Sequence, residues 1–219
     1  NPTEIEGLIK EHFSSLQPGG APRTVYPIPE HADTRYVSVS DVEAQGSSVS
    51  ITHKGPLLAL RTGGDYRRTL VRSLMHQMLN ARFAEISRQP NAPFLRAGSD
   101  DETVGLTIEA ASVSARVNDG AIETGLRALG EEIARVRQHG FGEAELDRAK
   151  RSAIASYERA YNERGTSESE GYASELLRHY LSDEAAPGIE IELDLVRAFL
   201  PTITAAEIGV LARDLFSDR

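Results

Sequence analysis

Residues 74–86 read LMHQMLNARFAEI, and their apolar side chains repeat with the period of an α-helix. The apolar stripe extends in both directions and predicts one long helix over residues 65–88, which Pro90 and Pro93 would end. Its members are Val71, Leu74, Met75, Met78, Leu79, Phe83 and Ile86. A helix with so wide an apolar stripe has to pack against other elements, so we expect it to lie in the core.

Inside this helix, residues 76–80 (HQMLN) have the outline of H-x-x-E-H, the zinc motif of one class of metallopeptidase. In that motif two histidines one turn apart bind the metal, and the glutamate activates the metal-bound water. Here Leu79 stands in the place of the glutamate and Asn80 in the place of the second histidine. At about 100° per residue Leu79 falls inside the stripe, His76 on its edge and Asn80 nearly opposite its centre. We therefore interpret the segment as a core-packing helix and not as a metal site.

The elements around this helix predict an α+β fold. Alternating polar and apolar residues indicate strands at 35–39 and 48–53, a short strand at 94–97, and a strand at 104–110 that continues towards 113. Helical spacing indicates further helices at 1–16, 119–137, 142–164, 167–181, 189–200 and 205–216. Strands with one inserted helix, followed by a long helical C-terminal part, predict a small, mostly antiparallel sheet covered on one face by helices.

Composition excludes several classes of function. The 219 residues carry a net charge of −9, which argues against nucleic acid and anionic membranes as partners, because both need a basic surface. The chain contains no cysteine, so disulfides, thiolate zinc sites and cysteine nucleophiles are absent. No apolar run approaches the ~20 residues of a membrane-spanning helix.

The residues that could carry chemistry do not form a recognisable motif. The two closest histidines, His12 and His31, are 19 residues apart, so no local pair can bind zinc from one helical turn. We interpret residues 100–102 (DDE) as a turn before a strand, and the glutamates at 131, 132, 143 and 145 as a solvated face. We therefore predict no catalytic, cofactor-binding or metal-binding residue. A stand-alone enzyme whose site assembles in space, for instance from His53, His76 and Glu109, stays an alternative.

One stretch carries a resemblance to a known family. Residues 140–150, GFGEAELDRAK, resemble the G-(F/L)-t-x-x-E-L-x-x-A-K stretch that opens a late helix in non-catalytic domains of the insulinase/pitrilysin (M16) family of zinc metallopeptidases. Residues 1–13, 65–82 and 167–204 resemble further helices of the same proteins, in the same order. Since the similarity covers essentially the whole chain, the chain is identified as a member, and it resembles the second, inactive αβ domain.

The resemblance implies a place in a larger enzyme. Family members consist of homologous αβ domains in two halves that enclose a chamber, and the first domain carries H-x-x-E-H. Residues 1–17 would be a helix left from the preceding αβ domain, residues 18–34 a linker, and residues 35–219 the non-catalytic domain. We expect the chain, which begins Asn-Pro-Thr, to be a piece of a longer protein.

The same resemblance implies partners, cofactor and compartment. Zn²⁺ is expected in the catalytic domain of the parent and not in this fragment, which alone should be inactive. The implied partners are that catalytic domain, the second half of the parent, and a peptide or unfolded protein. The family also suggests a bacterial periplasmic setting. The alternative is a structural or interaction domain whose parent has no peptidase activity, and an H-x-x-E-H upstream of Asn1 would separate the two.

Overall fold

The computed structural model describes residues 1–17, 19, 24–29, 31 and 33–217. Within this part of the chain, seven α-helices and three strands follow in mixed order, with one short 3-10 helix at Leu200–Thr202. The helices are α1 Pro2–Phe13, α2 Gly63–Ser87, α3 Ile122–His139, α4 Glu143–Glu163, α5 Ser169–Ser182, α6 Gly188–Phe199 and α7 Ala205–Leu215. The strands are β1 Ser47–Pro56, β2 Arg96–Val104 and β3 Ile108–Val117. The predicted α+β fold with its helical C-terminal part is confirmed.

The three strands form one antiparallel sheet in the order β1-β3-β2. Ser47 pairs with Val117 at one end of β1, and Val104 pairs with Ile108 where β2 turns into β3. Gly105 makes that turn with a φ of +71°, in the left-handed region that a glycine enters without steric cost. Inward residues of β3, such as Val113 and Val117, are buried against helices, whereas Ser114 and Arg116 are exposed.

Helix α2 lies at the centre of the molecule. It contacts β2 on one side and α4, α6 and α7 on the other, so apolar residues around most of its circumference are enclosed. The buried apolar residues of this helix are Leu70, Val71, Leu74, Met75, Met78, Leu79 and Phe83. Residues 74–86 thus form the main packing segment of the core, as predicted.

Two helix starts follow the chemistry of their capping residues. Thr62 and Asp65 form a reciprocal capping box at the start of α2, in which each side chain accepts a hydrogen bond from the other residue's backbone N–H. The side chain of Thr204 caps α7 by accepting from the Glu207 backbone N–H. These caps satisfy backbone donors that the first turn of a helix leaves without a partner.

The structure corrects three predicted boundaries. Residues 35–39 are not a strand: Tyr36, Val37 and Val39 are almost fully exposed, and no described strand pairs with them. The predicted strand at 104–113 is instead a hairpin, because the Gly105 turn divides it. Residues 100–102 are not a turn but part of β2, which extends the short strand predicted at 94–97.

The predicted linker over residues 18–34 lies partly outside the described residues, at 18, 20–23, 30 and 32. Its described residues 24–29 have no regular secondary structure. Within the part that the structure describes, no single helix has the length and apolar content to cross a membrane. By those two criteria the pair formed by residues 188–202 and 205–215 passes together, but it is bent by 97°.

Candidate functional site

His76 is the residue that a metal motif would need, and the structure places it inside the protein. Only 7% of its surface is exposed, so it is buried and not at the edge of the packed stripe as predicted. Its Nδ1 lies 2.7 Å from Ser99 Oγ of β2. Its Nε2 lies 3.2 Å from Asp101 Oδ2 but is not aligned for a hydrogen bond. The side that the stripe pattern assigns to solvent is therefore covered by β2.

Asn80, one turn further along α2, holds the same strand. Its amide nitrogen donates to the Ser99 carbonyl oxygen at 3.0 Å, and its amide oxygen accepts from the Ser99 backbone N–H at 2.6 Å. One side chain thus satisfies both backbone polar groups of Ser99, as a neighbouring strand would. The second ligand position of the motif outline is used to attach α2 to β2.

Arg72, one turn before His76, supplies the positive charge of the site. Its Nε and Nη2 donate to the two carboxylate oxygens of Asp101 at 2.9 and 2.5 Å, and its Nη1 donates to Glu109 of β3. The second oxygen of Glu109 accepts from the Leu58 backbone N–H at 3.3 Å. A bidentate arginine–carboxylate contact of this kind is strong because both groups are charged and aligned.

Burial and charge act in opposite directions on this ion pair. Burial alone disfavours the charged form of Arg72, but hydrogen bonds and charge from Asp101 and Glu109 more than offset it and raise its pKa. Burial would likewise raise the pKa of Asp101, but His76 and Arg72 hold it below its usual value. Asp101 therefore stays ionised and bound to Arg72.

This arrangement does not provide free metal ligands. Among the described residues, no group of three or more histidine, aspartate or glutamate side chains could hold a metal ion. Asp101 and Glu109 already bind Arg72, whose guanidinium occupies the position between them. An additional cation would have to displace an arginine whose side chain is 9% exposed.

The contacts of His76 also have the order serine, histidine, aspartate, which raises the question of hydrolytic chemistry. Ser99 is only 5% exposed, so a substrate carbonyl cannot reach its hydroxyl. Of the alternative set of His53, His76 and Glu109, His76 and Glu109 lie near each other, because Arg72 binds Glu109 and also Asp101, which is next to His76. His53 lies on β1 opposite Ala111, and β3 separates it from Asp101 by two strand spacings, about 10 Å.

A second buried network joins two of the segments that carried the family resemblance. Arg82 of α2 donates to both oxygens of Glu145 at 2.7 and 2.8 Å, to Glu132 at 3.0 Å, and to the Gly140 carbonyl at 3.1 Å. Its guanidinium also lies 4.8 Å from the ring centroid of Phe141. Glu132 is 1% exposed, so this glutamate is a buried ion-pair member and not part of a solvated face as predicted.

The contact between Arg82 and Glu145 therefore gives these two segments a structural role. Glu145 also accepts from the Gly142 backbone N–H at 2.7 Å, which fixes the start of α4. The G-F-G-E-A-E-L stretch is a structural junction between α2, α3 and α4.

The polar contacts that sequence reasoning missed connect residues with a regular spacing. Arg72, His76 and Asn80 stand four residues apart on α2 and form one polar line along an otherwise apolar helix. Ser99 and Asp101 stand two residues apart on β2 and share one face of the strand. Polar residues four apart on a helix, together with polar residues two apart on a strand, indicate a buried polar contact between the two elements.

Comparisons with known proteins agree with this geometry. Residues 1–153 match the family model described as the peptidase M16 inactive domain. The chain is 35% identical over 209 residues to a zinc protease PQQL-like protein of Arabidopsis thaliana, and 24% identical over 154 residues to the probable zinc protease PqqL of Escherichia coli K12. These matches cover 94% and 69% of this chain but only 19% and 16% of the relatives, so the chain spans under a fifth of their length.

A solved structure shares the fold over the full length of the chain. The crystal structure of the periplasmic protease PqqL from Escherichia coli superposes with a TM-score of 0.88 at 18% identity. The match covers 100% of this chain and 24% of that protein. At this identity the likeness concerns the fold alone.

Proposed function

The chain belongs to the M16 inactive-domain family, and from this premise we propose that it serves as a non-catalytic domain of a longer zinc metallopeptidase. In this role it packs on the H-x-x-E-H domain of the parent and forms part of the wall of a peptide-binding chamber. Zn²⁺ is bound by the catalytic domain and not by this chain. The relatives named as zinc proteases support a larger parent, because each is at least about five times longer than the region that matches this chain.

The observation that carries the proposal is the use of the helix α2 polar line. In a catalytic αβ domain, the corresponding positions of an H-x-x-E-H helix must face a metal. Here His76 and Asn80 are bound to Ser99, Leu79 is in the core, and Arg72 supplies the cation. If the αβ domains are duplicates, this helix occupies the position of the catalytic helix but acts as a structural anchor.

Two helices offer surfaces for neighbouring domains. Neither α1 nor α5 has a buried residue, yet both carry large apolar side chains. On α1 these side chains are Ile5, Leu8, Ile9 and Phe13, and on α5 they are Tyr172, Leu176, Leu177, Tyr180 and Leu181. Large contiguous apolar patches on the surface of a soluble protein mark interaction sites. Both faces thus support packing on other domains of the parent.

Helix α5 supports domain packing more strongly than α1, because its polar side and not its apolar side faces the rest of the chain. Glu175 is its one half-buried residue within the described part of the chain, and it lines a cavity of about 370 Å³ together with Gly171 and Arg178. The polar side of α5 therefore faces the body of this chain, and the apolar side faces outward. An amphipathic helix has this orientation where another surface covers the apolar side.

The division of the chain follows from the same proposal. Residues 1–17 would pack on the preceding αβ domain, residues 18–34 would link the two domains, and residues 35–219 would form the inactive domain. The second half of the parent and a peptide or unfolded protein would be its remaining partners. Because the PqqL protein matched above is described as periplasmic, we propose the periplasm as the compartment of the parent.

The proposal is tested on the longer gene product that contains this chain. The segment with H-x-x-E-H and the present chain are expressed as separate polypeptides, and their association and peptidase activity are measured. We expect the chain to bind the catalytic segment and to raise its activity, and Leu176→Asp to weaken both effects. Ser174→Asp, at an exposed polar position of the same helix, is the matched control.

Two results would contradict the proposal. A gene product without H-x-x-E-H would favour the structural or interaction domain without peptidase activity. Peptidase activity of the present chain alone would show that the chain is itself catalytic.

A further inference from the structure

The face of the sheet that points away from the helices is exposed and polar. Alternation along the strands places one set of side chains on this face, and the 3.0 Å contact between Thr52 Oγ1 and Ser112 Oγ shows that β1 and β3 present their hydroxyls to the same side. The exposed members of this set are Ser48, Ser50, Thr52 and Lys54 of β1, Ser114 and Arg116 of β3, and Arg96, Asp100 and Glu102 of β2. Their exposure shows that no described element covers this face.

Two arginines lie directly opposite each other on this face. Arg96 of β2 and Arg116 of β3 are register partners, and both are exposed. Like charges in directly opposed positions of an antiparallel pair destabilise a sheet. Neither arginine forms an ion pair with a carboxylate of the described residues, although the chain has 33 acidic residues. The stability of the fold gives no reason for this pair.

The guanidinium of Arg116 is held in a defined position. It donates to the Gln45 carbonyl oxygen, in the turn that leads into β1. Gly46 has a φ of +123°, and a Cβ at this position would lie 2.6 Å from Arg116 Nη2. Gly46 leaves space for the guanidinium, and the hydrogen bond to Gln45 restricts its motion, which lowers the entropy that a ligand contact would cost.

The two arginines border a shallow groove of about 400 Å³. Its other lining residues are small, and Ser48 and Ser114 add two hydroxyl groups. Among the described residues that line the groove, none is acidic, so it is a locally positive surface on a chain of net charge −9. Guanidinium groups bind carboxylates with two parallel hydrogen bonds, and hydroxyls can donate to the same oxygens.

We propose that Arg96 and Arg116, with the hydroxyls of Ser48 and Ser114, form a binding site for a carboxylate group of a peptide. The assignment of the ligand as a peptide rests on the proposed function, in which this chain forms part of a chamber wall. The site orients the peptide by its C-terminal carboxylate or by an acidic side chain. The domain then contributes substrate binding without contributing to bond cleavage.

The test measures the binding of fluorescein-labelled unstructured peptides to the purified chain by fluorescence anisotropy. One peptide has an acidic residue and a free C-terminus, a second has an amidated C-terminus, a third has the acidic residue replaced by its amide, and a fourth has both changes. We expect the doubly neutral peptide, with both changes, to bind at least about tenfold more weakly, the loss that corresponds to about 1.4 kcal/mol. Comparison of the two peptides that carry one change each shows which carboxylate is bound.

The protein variants in the same test are Arg96→Gln and Arg116→Gln, singly and together. The double variant should bind all peptides as weakly as the wild-type chain binds the doubly neutral one. Arg151→Gln with Arg159→Gln is the charge-matched control, because both of these arginines are exposed on α4. This control should keep the preference for the acidic peptide.

The outcomes separate the inference from the proposed function. Equal affinity for acidic and neutral peptides, unchanged in the Arg96 and Arg116 variants, would overturn the carboxylate site and leave peptide binding by the domain intact. An equal loss of affinity in the α4 control would show that only the net charge of the chain matters, and it would also overturn the site. Failure of every peptide to bind would contradict both the site and the role in peptide binding.

Discussion

Leu79 is the residue at which the catalytic and the structural interpretation of α2 differ most. It has 0% exposed surface and packs in the core, whereas a catalytic glutamate at this position would have to face a metal and water. Its neighbours His76 and Asn80 have polar partners on β2, so each side of this helical turn is occupied by packing.

We therefore expect Leu79→Glu to unfold the protein. Burying an unpaired carboxylate and losing the leucine should together cost roughly 4 kcal/mol or more, a large part of the stability of a domain. Urea unfolding followed by circular dichroism measures the effect. Ser73→Glu, at an exposed position of the same helix, should change the free energy of unfolding by less than about 0.5 kcal/mol. A folded Leu79→Glu variant that binds zinc would contradict this account of α2.

Gly125 of α3 carries a second test at the residue scale. A Cβ at this position would lie 2.4 Å from Val117 Cγ1, because α3 approaches β3 more closely here than a side chain permits. We expect Gly125→Ala to destabilise the chain by about 1–3 kcal/mol, since the clash outweighs the better helix propensity of alanine.

Gly130 is the matched control on the same helix, with no atom within 4 Å of an added Cβ. Here Gly130→Ala should stabilise the chain by up to about 1 kcal/mol, from helix propensity alone. Thermal unfolding of both variants decides the point. A similar gain in stability for both substitutions would show that α3 does not pack on β3 at this distance.

At the scale of elements, Arg82 joins α2 to α3 and α4. It is bound to Glu132, Glu145 and the Gly140 carbonyl, and Glu132 is almost fully buried. Arg82→Met would leave that carboxylate with its contact to the exposed Arg135 and should cost roughly 3 kcal/mol. Arg127→Met breaks an exposed ion pair with Glu123 on α3 and should cost less than about 1 kcal/mol. Chemical unfolding that gives equal values for the two variants would contradict the importance of this junction.

The same junction makes the stability depend on acid pH. Hydrogen bonds from Arg82 lower the pKa of Glu145 below its ordinary value of 4.5, and hydrogen bonds from Arg67 do the same for Glu207. Because these pKa values are lower in the folded state, the unfolded state takes up protons first as the pH falls. The stabilisation is complete above about pH 4.5 and is lost as the pH falls through the folded-state values.

We expect the free energy of unfolding to decrease from about pH 5 to about pH 3, and less steeply in Arg82→Met. Urea titrations at a series of pH values provide the measurement. A slope that is the same in the wild-type chain and in Arg82→Met would show that Glu145 does not contribute.

The elements show what the sequence could predict and what it could not. Helical periodicity and capping residues were sufficient for the helices, because their main determinants are local. The strand at 35–39 was wrong since alternation indicates a strand only where a partner strand exists, and pairing is not local. The acids at 100–102 were assigned to a turn because Arg72, the partner of Asp101, is 29 residues away along the chain.

The contacts of His76 and Asn80 were not predicted, for a related reason. The stripe pattern on α2 correctly identified the core face, but it assumed solvent on the opposite side. In the structure β2 covers that side, and the polar line of Arg72, His76 and Asn80 is buried against it. A polar residue on a helix can be called a ligand or an anchor only when its partner is known.

At the scale of the whole molecule, the surfaces that pack the core differ from the surfaces that are available for binding. Helices α2, α3, α4, α6 and α7 enclose the core with one face of the sheet, while no described residues cover the other face, α1 or the apolar side of α5. These uncovered surfaces are the ones through which a domain of a larger peptidase would contact its neighbours and a peptide. The core itself holds its charges in pairs and offers no open coordination site among the described residues.

The zinc content of the purified chain tests this account most directly. The chain is loaded with excess Zn²⁺, dialysed and analysed by inductively coupled plasma mass spectrometry, together with His76→Ala. We expect far less than one zinc per chain in both samples, because the carboxylates near His76 are bound to Arg72. One zinc per wild-type chain that is lost in a folded His76→Ala variant would contradict the structural role of α2 and restore the metal site.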